Sequence, residues 1–174
     1  MAIIRNQPEV KVQYSEHLIQ RAIISNFRNG CRFMVPNLQN RYGEMDMLIV
    51  RRSGYAEEFE VKISTSDFRA DAKKELKHLA YRQEYEDDNL FKANALQTIR
   101  LPNRFSYIAP PGIIPLDEVP EYAGLYEVTH TAGRWWDIKA VKSPPLLHKQ
   151  KLEWIEQIAV SCHWRLLQAR KLIG

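Results

Sequence analysis

Two runs of strand-forming residues, 44–51 and 55–63, are joined by the short turn Arg-Ser-Gly. Apolar runs separated by such a turn predict a β-hairpin. Charged residues interrupt both runs: Asp46 lies in the first, and Glu60 and Lys62 lie in the second as the triplet Glu-Val-Lys. The hairpin therefore brings two carboxylates and one amine beside each other, and we expect them at its surface.

Alternation along each strand assigns these side chains to opposite faces of the sheet. In the second strand, the apolar residues share the face predicted to be core: Phe59, Val61 and Ile63. The other face carries Glu58, Glu60, Lys62 and Ser64. In the first strand, Asp46 shares its face with Glu44 at one end and with apolar residues as far as Val50 at the other. This face is charged at one end and apolar at the other, which predicts that a functional site lies at the edge of the hydrophobic core.

A helix is predicted before the hairpin, from Glu16 to Phe27, with Ser15 as its N-cap. Its apolar side chains recur on one face at helical spacing, and Glu16 lies at the first-turn end of that row. One explanation for Glu16 is that the helix dipole stabilises a carboxylate in the first turn. The other is an inward-pointing acid that reaches the charged site, and the sequence leaves both open.

A second helix is predicted after the hairpin, from Asp67 to Tyr85, following a turn at residues 64–66. Its predicted apolar face consists of Phe68, Ala72, Leu76 and Leu79. Basic residues recur at four-residue spacing elsewhere on its surface, namely Arg69, Lys73 and Lys77. Such a stripe is usually a solvated face. If the neighbouring carboxylates bind a phosphodiester, the stripe is instead a surface that contacts the nucleic-acid backbone.

The remaining segments complete a single α/β domain over residues 1–174. Residues 1–13 are predicted to form an irregular arm, and residues 84–103 a loop or an added helical turn. Further strands are predicted at 31–35, which Pro36 ends, and at 104–109, 124–129 and 135–141, with a turn at 132–133. A C-terminal helix is predicted over residues 148–172.

Composition restricts the functional class. The net charge of +4 is compatible with nucleic-acid binding but does not establish it. Cys31 and Cys162 lie far apart, which predicts free thiols and no zinc site. The histidines show no ligand spacing, and no Walker-type glycine-rich loop indicates an ATPase. Because no window of about 18 apolar residues predicts a membrane span, and no signal peptide is recognisable, we expect a cytoplasmic protein that does not bind membranes.

Two carboxylates with an adjacent amine are typical of metal-dependent phosphodiester hydrolysis. A divalent ion lowers the pKa of its bound water and polarises a phosphoryl oxygen. Mg²⁺, or Mn²⁺ in its place, prefers oxygen ligands and takes one or two carboxylates from a protein. Asp46 and Glu60 supply these carboxylates, and the carbonyl oxygen of Val61 is a third candidate ligand. Lys62 can orient the attacking water or neutralise the developing charge.

Asp46, followed after thirteen residues by Glu60-Val61-Lys62, resembles the signature of the PD-(D/E)XK nuclease superfamily. More narrowly, EVKISTSDFRADAKK resembles the corresponding segment of the MmcB-like family of DNA-repair proteins. The later segments NRFSYIAPPG, EYAGLYEVT and WIEQIAVSCHWRLL are also similar to that family. Met45 stands where the proline that names the motif would be, and the segment 84–103 is longer than the family leads us to expect.

This resemblance implies the fold of restriction endonucleases, a central mixed sheet flanked by helices in the order αβββαβ, with a C-terminal helix added. The implied catalytic residues are Asp46, Glu60, Lys62 and Glu16, the last as an acid of the first helix near the metal. The candidates for contact with DNA are Ser64, Arg69, Lys73 and Lys77. The resemblance is also compatible with a homodimer, because many proteins with this kind of core are dimers.

Two functions follow from these observations. The preferred one is a Mg²⁺- or Mn²⁺-dependent deoxyribonuclease that acts in DNA repair or recombination. The alternative is a nuclease-like module that binds DNA or protein without catalysis. The intact set of two carboxylates and a lysine favours the nuclease, because a silent module has little reason to retain three converging polar groups. Glu44 and Glu58 are alternative ligands, although neither is followed by a lysine two residues later.

Overall fold

The structure, a computed structural model, describes residues 13–40, 42–86, 101–131, 135–151 and 153–169. In this part of the chain, six strands form one sheet, and helices pack on both of its faces. Neighbouring strands are antiparallel except for the two parallel pairs in the middle of the sheet. The predicted α/β class, with a mixed sheet flanked by helices, is therefore confirmed.

The helices are α1 (Glu16–Phe27), α2 (Thr65–Asp71), α3 (Glu75–Glu86) and α4 (Ile155–Ala169). The strands are β1 (Cys31–Asn40), β2 (Gly43–Arg51), β3 (Ala56–Val61), β4 (Arg104–Ala109), β5 (Ala123–Thr131) and β6 (Trp135–Lys142). The strands lie across the sheet in chain order, with β3 parallel to β4. Because parallel neighbours need a crossover connection, α2 and α3 lie in the segment that joins these two strands.

Helix α1 begins and ends where the sequence predicts. The Ser15 hydroxyl accepts a hydrogen bond from the N–H of Leu18 at 3.3 Å, which confirms the predicted N-cap. One apolar cluster joins the helix to the sheet and includes Ile19, Ala22, Ile23, Met47, Ile49, Phe59 and Val61. The predicted core face of β3 is therefore confirmed within the strand, whereas Ile63 lies beyond the strand and is exposed.

Strand β1 continues through the predicted stop at Pro36 and ends at Asn40. It lies at an edge of the sheet, where a proline can be tolerated because its missing N–H can face away from the partner strand. Asn37 then adopts a left-handed backbone conformation with a φ of 51°. The sequence prediction failed here because a proline ends a central strand but not necessarily an edge strand.

The alternation of faces in β2 is interrupted opposite Asn37. Met45 and Leu48 belong to the same apolar cluster, although a regular strand would point them to opposite faces. Glu44 is exposed and accepts a hydrogen bond from Nδ2 of Asn37 at 2.8 Å. The prediction that Glu44 shares a face with the apolar residues as far as Val50 is therefore wrong, because the left-handed residue on β1 breaks the pairing at this point.

The helix predicted over residues 67–85 is in fact two helices, which are separated at residues 72–74. Of its predicted apolar face, Phe68 is buried as predicted. The prediction is wrong for Ala72, which is exposed, and for Leu76 and Leu79, which are 74% and 47% exposed. Among residues 75–82 of α3, the buried side chains are Lys77, His78 and Tyr81. The reason lies in the sheet face beneath, which carries carboxylates, so the helix buries groups that can pair with them.

The C-terminal helix begins at Ile155 and not at His148 as predicted. His148 is buried, and its Nε2 lies 3.0 Å from the carbonyl oxygen of Leu101. Nδ2 of Asn103 donates to the carbonyl oxygen of His148 at 2.9 Å. These bonds hold the segment along the start of β4, and Trp154, which is buried, then anchors α4 to the cluster on β1 and β2.

Other predicted features fall partly within the described residues. Strand β4 has the predicted bounds, and β5 and β6 contain the other predicted strands. The turn at 132–133, the arm as far as residue 12, residues 87–100 and the last residues of the predicted C-terminal helix lie outside the described residues. Cys31 and Cys162 are free thiols, as predicted. Among the described helices, none combines the length and the apolar composition needed to cross a membrane.

Gly124 in β5 lies against the segment that follows β6. A Cβ atom at this position would come within 2.8 Å of the backbone nitrogen of Pro144 and of Oγ of Ser106. Because backbone cannot swing aside as a flexible side chain can, Gly124→Ala should lower the free energy of unfolding by about 1–3 kcal/mol in urea titrations. Gly30→Ala is the matched control, since its nearest contact would be a guanidinium nitrogen of Arg51 at 3.7 Å. Equal effects of the two substitutions would contradict the close approach at Gly124.

Candidate functional site

The hairpin places Asp46 and Glu60 side by side. Pairing between β2 and β3 ends at Met47 and Phe59, and the next pair in the same register would be Asp46 and Glu60. Asp46 replaces this backbone pair with a side-chain bond, because its Oδ2 accepts from the N–H of Val61 at 2.7 Å. The carboxylate of Asp46 is thus held next to Glu60 at the point where the two strands separate.

The carboxyl group of Asp46 has a strongly shifted pKa. Burial and the negative charge of Glu60 raise it from 3.8 to about 7, and Glu16 adds to this effect. The hydrogen bond from Val61 and the ammonium of Lys62 act in the opposite direction but do not compensate. The side chains of Glu16, Glu60 and Lys62 therefore all lie near enough to act on Asp46. The local excess of negative charge is one that a cation would relieve.

Glu16 is connected to Asp46 through a buried amide. Oε1 of Glu16 accepts from Nε2 of Gln20 at 2.9 Å and from Nδ2 of Asn37 at 3.2 Å. The same Nε2 of Gln20 also donates to the carbonyl oxygen of Asp46 at 3.0 Å. Glu16 is itself exposed, so it lies at the rim of the site and the amides of Gln20 and Asn37 hold its carboxylate.

Glu60 and Asp71 share two lysine ammonium groups. Nζ of Lys62 lies 3.0 Å from Oε1 of Glu60 and 3.0 Å from Oδ1 of Asp71. Nζ of Lys74 contacts the same two oxygens, at 2.5 Å and 3.0 Å respectively. The four groups thus alternate in charge around a ring, which we call the charge ring: Glu60, Lys62, Asp71 and Lys74. Oε1 of Glu60 and Oδ1 of Asp71 are thus each bound by both ammonium groups.

Lys77 adds a third ammonium group to Glu60. Its Nζ lies 2.6 Å from Oε2 of Glu60 and also contacts Oε1 of Glu58. The Tyr81 hydroxyl donates to Oε2 of Glu58 at 2.5 Å. Glu58, Glu60 and Lys77 are each at most 2% exposed, so this polar face is buried beneath α3. The prediction that these charges lie at the surface of the hairpin is wrong, because α3 supplies the groups that neutralise them.

Lys62 remains protonated in this environment. Burial by itself lowers the pKa of an amine, but the carboxylates of Glu60 and Asp71 outweigh burial and raise the pKa of Lys62. A protonated lysine cannot accept a proton from water. Its chemistry at neutral pH is therefore that of a fixed positive charge, which can orient a hydrogen-bond acceptor or stabilise negative charge.

Asp71 is held from its other side by aromatic residues. The hydroxyl of Tyr107 donates to Oδ2 of Asp71 at 3.0 Å, and Nε2 of His78 lies 3.0 Å from the same oxygen. Burial alone would raise the pKa of Asp71, but the hydrogen bond from His78 and the charges of Lys62 and Lys74 lower it. Asp71 is thus an ionised anchor that orients the two lysines toward Glu60.

The basic stripe predicted for DNA contact is not a continuous surface. The prediction for Lys77 is wrong, because that residue is buried against carboxylates. Arg69 is exposed, but its guanidinium donates to both carboxylate oxygens of Glu118, at 2.8 Å and 3.2 Å. The Ser64 hydroxyl accepts from the N–H of Asp67 at 3.1 Å and so caps α2. Lys73 is exposed, and no residue of the described ranges pairs with its side chain.

The two alternative acids are bound elsewhere. Glu44 points to the amides of Asn37 and Gln39, with oxygen-to-nitrogen distances of 2.8 Å and 2.6 Å. Glu58 is fully buried between Lys77 and Tyr81. Neither carboxylate lies next to the point where β2 and β3 separate with a lysine bound beside it, as that of Glu60 does.

Sequence reasoning missed several residues of the network: Gln20, Asp71, Lys74, His78 and Tyr81. One signal was available in the second helical region, where Lys74, Lys77, His78 and Tyr81 recur at helical spacing on one face. A strand with three charged residues on a face needs partners if that face is covered. The two patterns are complementary, but neither sequence segment shows by itself that they meet.

The donor atoms around Asp46 and Glu60 can be compared with the needs of a divalent ion. Among the described residues, no group of three or more His, Cys, Asp or Glu side chains is arranged to hold a metal. The available set is two carboxylates and the carbonyl oxygen of Val61, which is a sufficient protein contribution for Mg²⁺. Both oxygens of Glu60 already bind lysine ammonium groups. A divalent ion therefore fits only after one of these groups withdraws.

Comparisons with known proteins bear on the fold. No protein-family model matches the chain, and no curated protein is similar to it in sequence. The solved structure of SPO1766, a protein of unknown function from Silicibacter pomeroyi, is similar, with a TM-score of 0.58. The match covers 92% of this chain and 94% of that chain, at 20% sequence identity. At this identity the likeness shows a shared fold and carries no information about activity.

Proposed function

We propose that this protein is a metal-dependent deoxyribonuclease of the PD-(D/E)XK type, which acts in DNA repair or recombination. The observation that carries the proposal is the convergence of Asp46, Glu60 and Lys62 at the point where β2 and β3 separate. Carboxylates on neighbouring strands with a lysine two residues after the second are what the superfamily motif requires. We also propose that the α1-to-β4 part of the chain is its restriction-endonuclease-like core.

In this proposal each residue has a separate task. Asp46 and Glu60, with the carbonyl oxygen of Val61, would hold Mg²⁺ or Mn²⁺. The ion, when bound, supplies an acidic water and polarises the phosphoryl oxygen. Lys62 is kept protonated by its carboxylate partners and stabilises the negative charge that develops on the phosphoryl group. Glu16, at the rim, orients polar groups around Asp46 through Gln20.

Contact with DNA is proposed for the exposed side of α2 and the segment after it. Lys73 offers a free ammonium group there, and Arg69 can exchange its exposed partner Glu118 for a phosphate. Ser64 at the N-terminus of α2 has its hydroxyl committed to the helix cap, so its own contribution would be through backbone position. The net charge of +4 is compatible with this role.

One observation favours the alternative of a catalytically silent module. Three lysines bind the two oxygens of Glu60, so this carboxylate can also be understood as the counter-ion of a buried network. In that case the protein would bind DNA or another protein through its surface without cleaving a phosphodiester bond. Asp46 favours the nuclease, because it places a second carboxylate beside Glu60 and its Oδ2 accepts a hydrogen bond from the N–H of Val61 and not from a lysine of the network.

A cleavage assay separates the two functions. We expect the purified protein to cut at least one of nicked, flapped, branched or plain duplex DNA in Mn²⁺, and to lose this activity in EDTA. Glu44→Gln should cut DNA like the wild type. It is the matched control for a substitution of Asp46, because Glu44 is an exposed acid beside the site that is hydrogen-bonded to amides. If no substrate is cut in Mn²⁺ or Mg²⁺ while salt-dependent DNA binding survives EDTA, the nuclease proposal is wrong and the silent module is favoured.

A further inference from the structure

The two lysine side chains of the charge ring differ in their exposure to solvent. Lys62 and Lys74 bridge the same two oxygens, Oε1 of Glu60 and Oδ1 of Asp71. The side chain of Lys62 is 4% exposed, whereas that of Lys74 is 46% exposed. One bridging cation is therefore enclosed in the protein, and the other can exchange with solvent.

We propose that Lys74 is an internal competitor of the divalent ion at Glu60. Its ammonium group satisfies the carboxylate while no metal is bound, and it must withdraw into solvent before a divalent ion can bind Glu60. This inference rests on the proposed function, because it concerns the regulation of the same site. It assigns to Lys74 a role that the sequence motif does not contain.

The other contacts explain why Lys74 and no other lysine of the ring network is displaced. If Lys74 withdraws, Glu60 keeps its bonds to Lys62 and Lys77. Asp71 likewise keeps Lys62 and the hydroxyl of Tyr107. Neither buried carboxylate is left without a partner, so the withdrawal avoids the cost of an unpaired buried charge.

Displacement of Lys77 or Lys62 in place of Lys74 would cost more. Lys77 is enclosed between Glu58 and Glu60, and its departure would leave Glu58 with the Tyr81 hydroxyl as its remaining bond. Lys62 is 4% exposed and has no direct path to solvent comparable to that of Lys74. The exposed lysine therefore has the lowest cost of displacement, because its charge regains hydration when it leaves.

The test measures binding of Mn²⁺ by isothermal titration calorimetry without DNA, at pH 7.5 and low salt. Lys74→Gln should bind Mn²⁺ about fivefold more tightly than the wild type, which is the scale of removing a half-exposed ion pair. Lys73→Gln removes the same charge from the next residue, which has no partner among the described residues. This control should stay within about twofold of the wild type, since it tests only long-range charge.

The outcomes distinguish the inference from the proposed function. Tighter binding by Lys74→Gln and not by Lys73→Gln supports competition. Equal affinity of the wild type and Lys74→Gln, with binding lost in Asp46→Asn, overturns the role of Lys74 and leaves the metal site intact. If neither the wild type nor the folded Lys74→Gln variant binds Mn²⁺, the inference and the metal site are both overturned.

A second measurement uses the wild-type protein and does not depend on a variant. Acetic anhydride modifies exposed amines, and mass spectrometry gives the rate at each lysine. Saturating Mn²⁺ should increase the acetylation rate of Lys74 at least about twofold, because displacement moves its amine into solvent. Lys73 is the internal reference and should not change. An unchanged rate at Lys74 under Mn²⁺ that calorimetry shows to be bound would overturn the inference.

Discussion

Replacing Lys77 with alanine is expected to lower the free energy of unfolding by about 3–5 kcal/mol, the usual effect of breaking a buried ion pair. The side chain of Lys77 is 2% exposed, and its ammonium group binds both Glu58 and Glu60. Without it, Glu58 would be a fully buried carboxylate that retains a bond from the Tyr81 hydroxyl. Burial already raises the pKa of Glu58, so the variant would either bury an unpaired charge or protonate this acid.

Urea denaturation of Lys77→Ala and Lys73→Ala side by side measures this effect. Lys73 is exposed and close in sequence, so its substitution should change the stability by less than about 0.5 kcal/mol. A double variant, Lys77→Met with Glu58→Gln, removes both charges and should recover more than half of the loss. A nearly neutral Lys77→Ala would contradict the buried network and restore Lys77 as a candidate for DNA contact.

Asp46→Asn is expected to have opposite effects on activity and on stability. In the proposed nuclease, loss of the Asp46 carboxylate from the metal site should lower the rate of DNA cleavage by about a hundredfold or more. The same substitution removes a half-buried charge that lies close to Glu60 and Glu16. Asparagine can still accept the N–H bond of Val61 through its Oδ1, so the hairpin contact is retained. A gain in stability is therefore expected where activity is lost.

The gain in stability of Asp46→Asn over the wild type should increase as the pH rises. The pKa of Asp46 is 3.8 as a free group and about 7 in the folded protein. Between these values the folded state binds more protons than the unfolded state, so the contribution of Asp46 to stability falls as the pH rises. The full difference corresponds to about 4 kcal/mol, which screening at a half-buried site reduces to about 1–3 kcal/mol.

Unfolding by urea at pH 4 and at pH 8 tests this expectation. Asp46→Asn and the wild type should have similar stability at pH 4, whereas the variant should be about 1–3 kcal/mol more stable at pH 8. Glu44→Gln is the control, because it replaces a neighbouring exposed acid. A variant that is less stable than the wild type at pH 8 would show that Asp46 is stabilised by its surroundings and would weaken its assignment as a metal ligand.

Local signals in the sequence were sufficient for several elements. Helix α1 has the predicted bounds because an N-cap serine and an apolar row at helical spacing agree. Strand β4 was also predicted correctly, because an apolar run is closed by two prolines and a glycine. The hairpin register followed from alternation and turn length, and it places Asp46 next to Glu60.

Other features depended on contacts between distant segments. The start of α4 was predicted too early because His148 forms hydrogen bonds with Leu101 and Asn103, which lie in a different part of the sequence. The burial of Lys77 was missed because a basic residue at regular helical spacing is usually solvated. In each case a local preference was overridden by a partner that the local sequence does not contain.

By itself, the sequence determined that Asp46 lies next to Glu60 across the hairpin and that Lys62 follows Glu60 on the same side. Only the tertiary structure decided what covers that face. Periodicity reports the direction of a side chain relative to its own strand or helix, but it does not report the chemistry of the surface that packs against it. Because α3 turns Lys77 and Tyr81 toward the carboxylates, a face that was expected at the surface is a buried charge network. The side chain of Lys74, which is 46% exposed, connects this network to solvent.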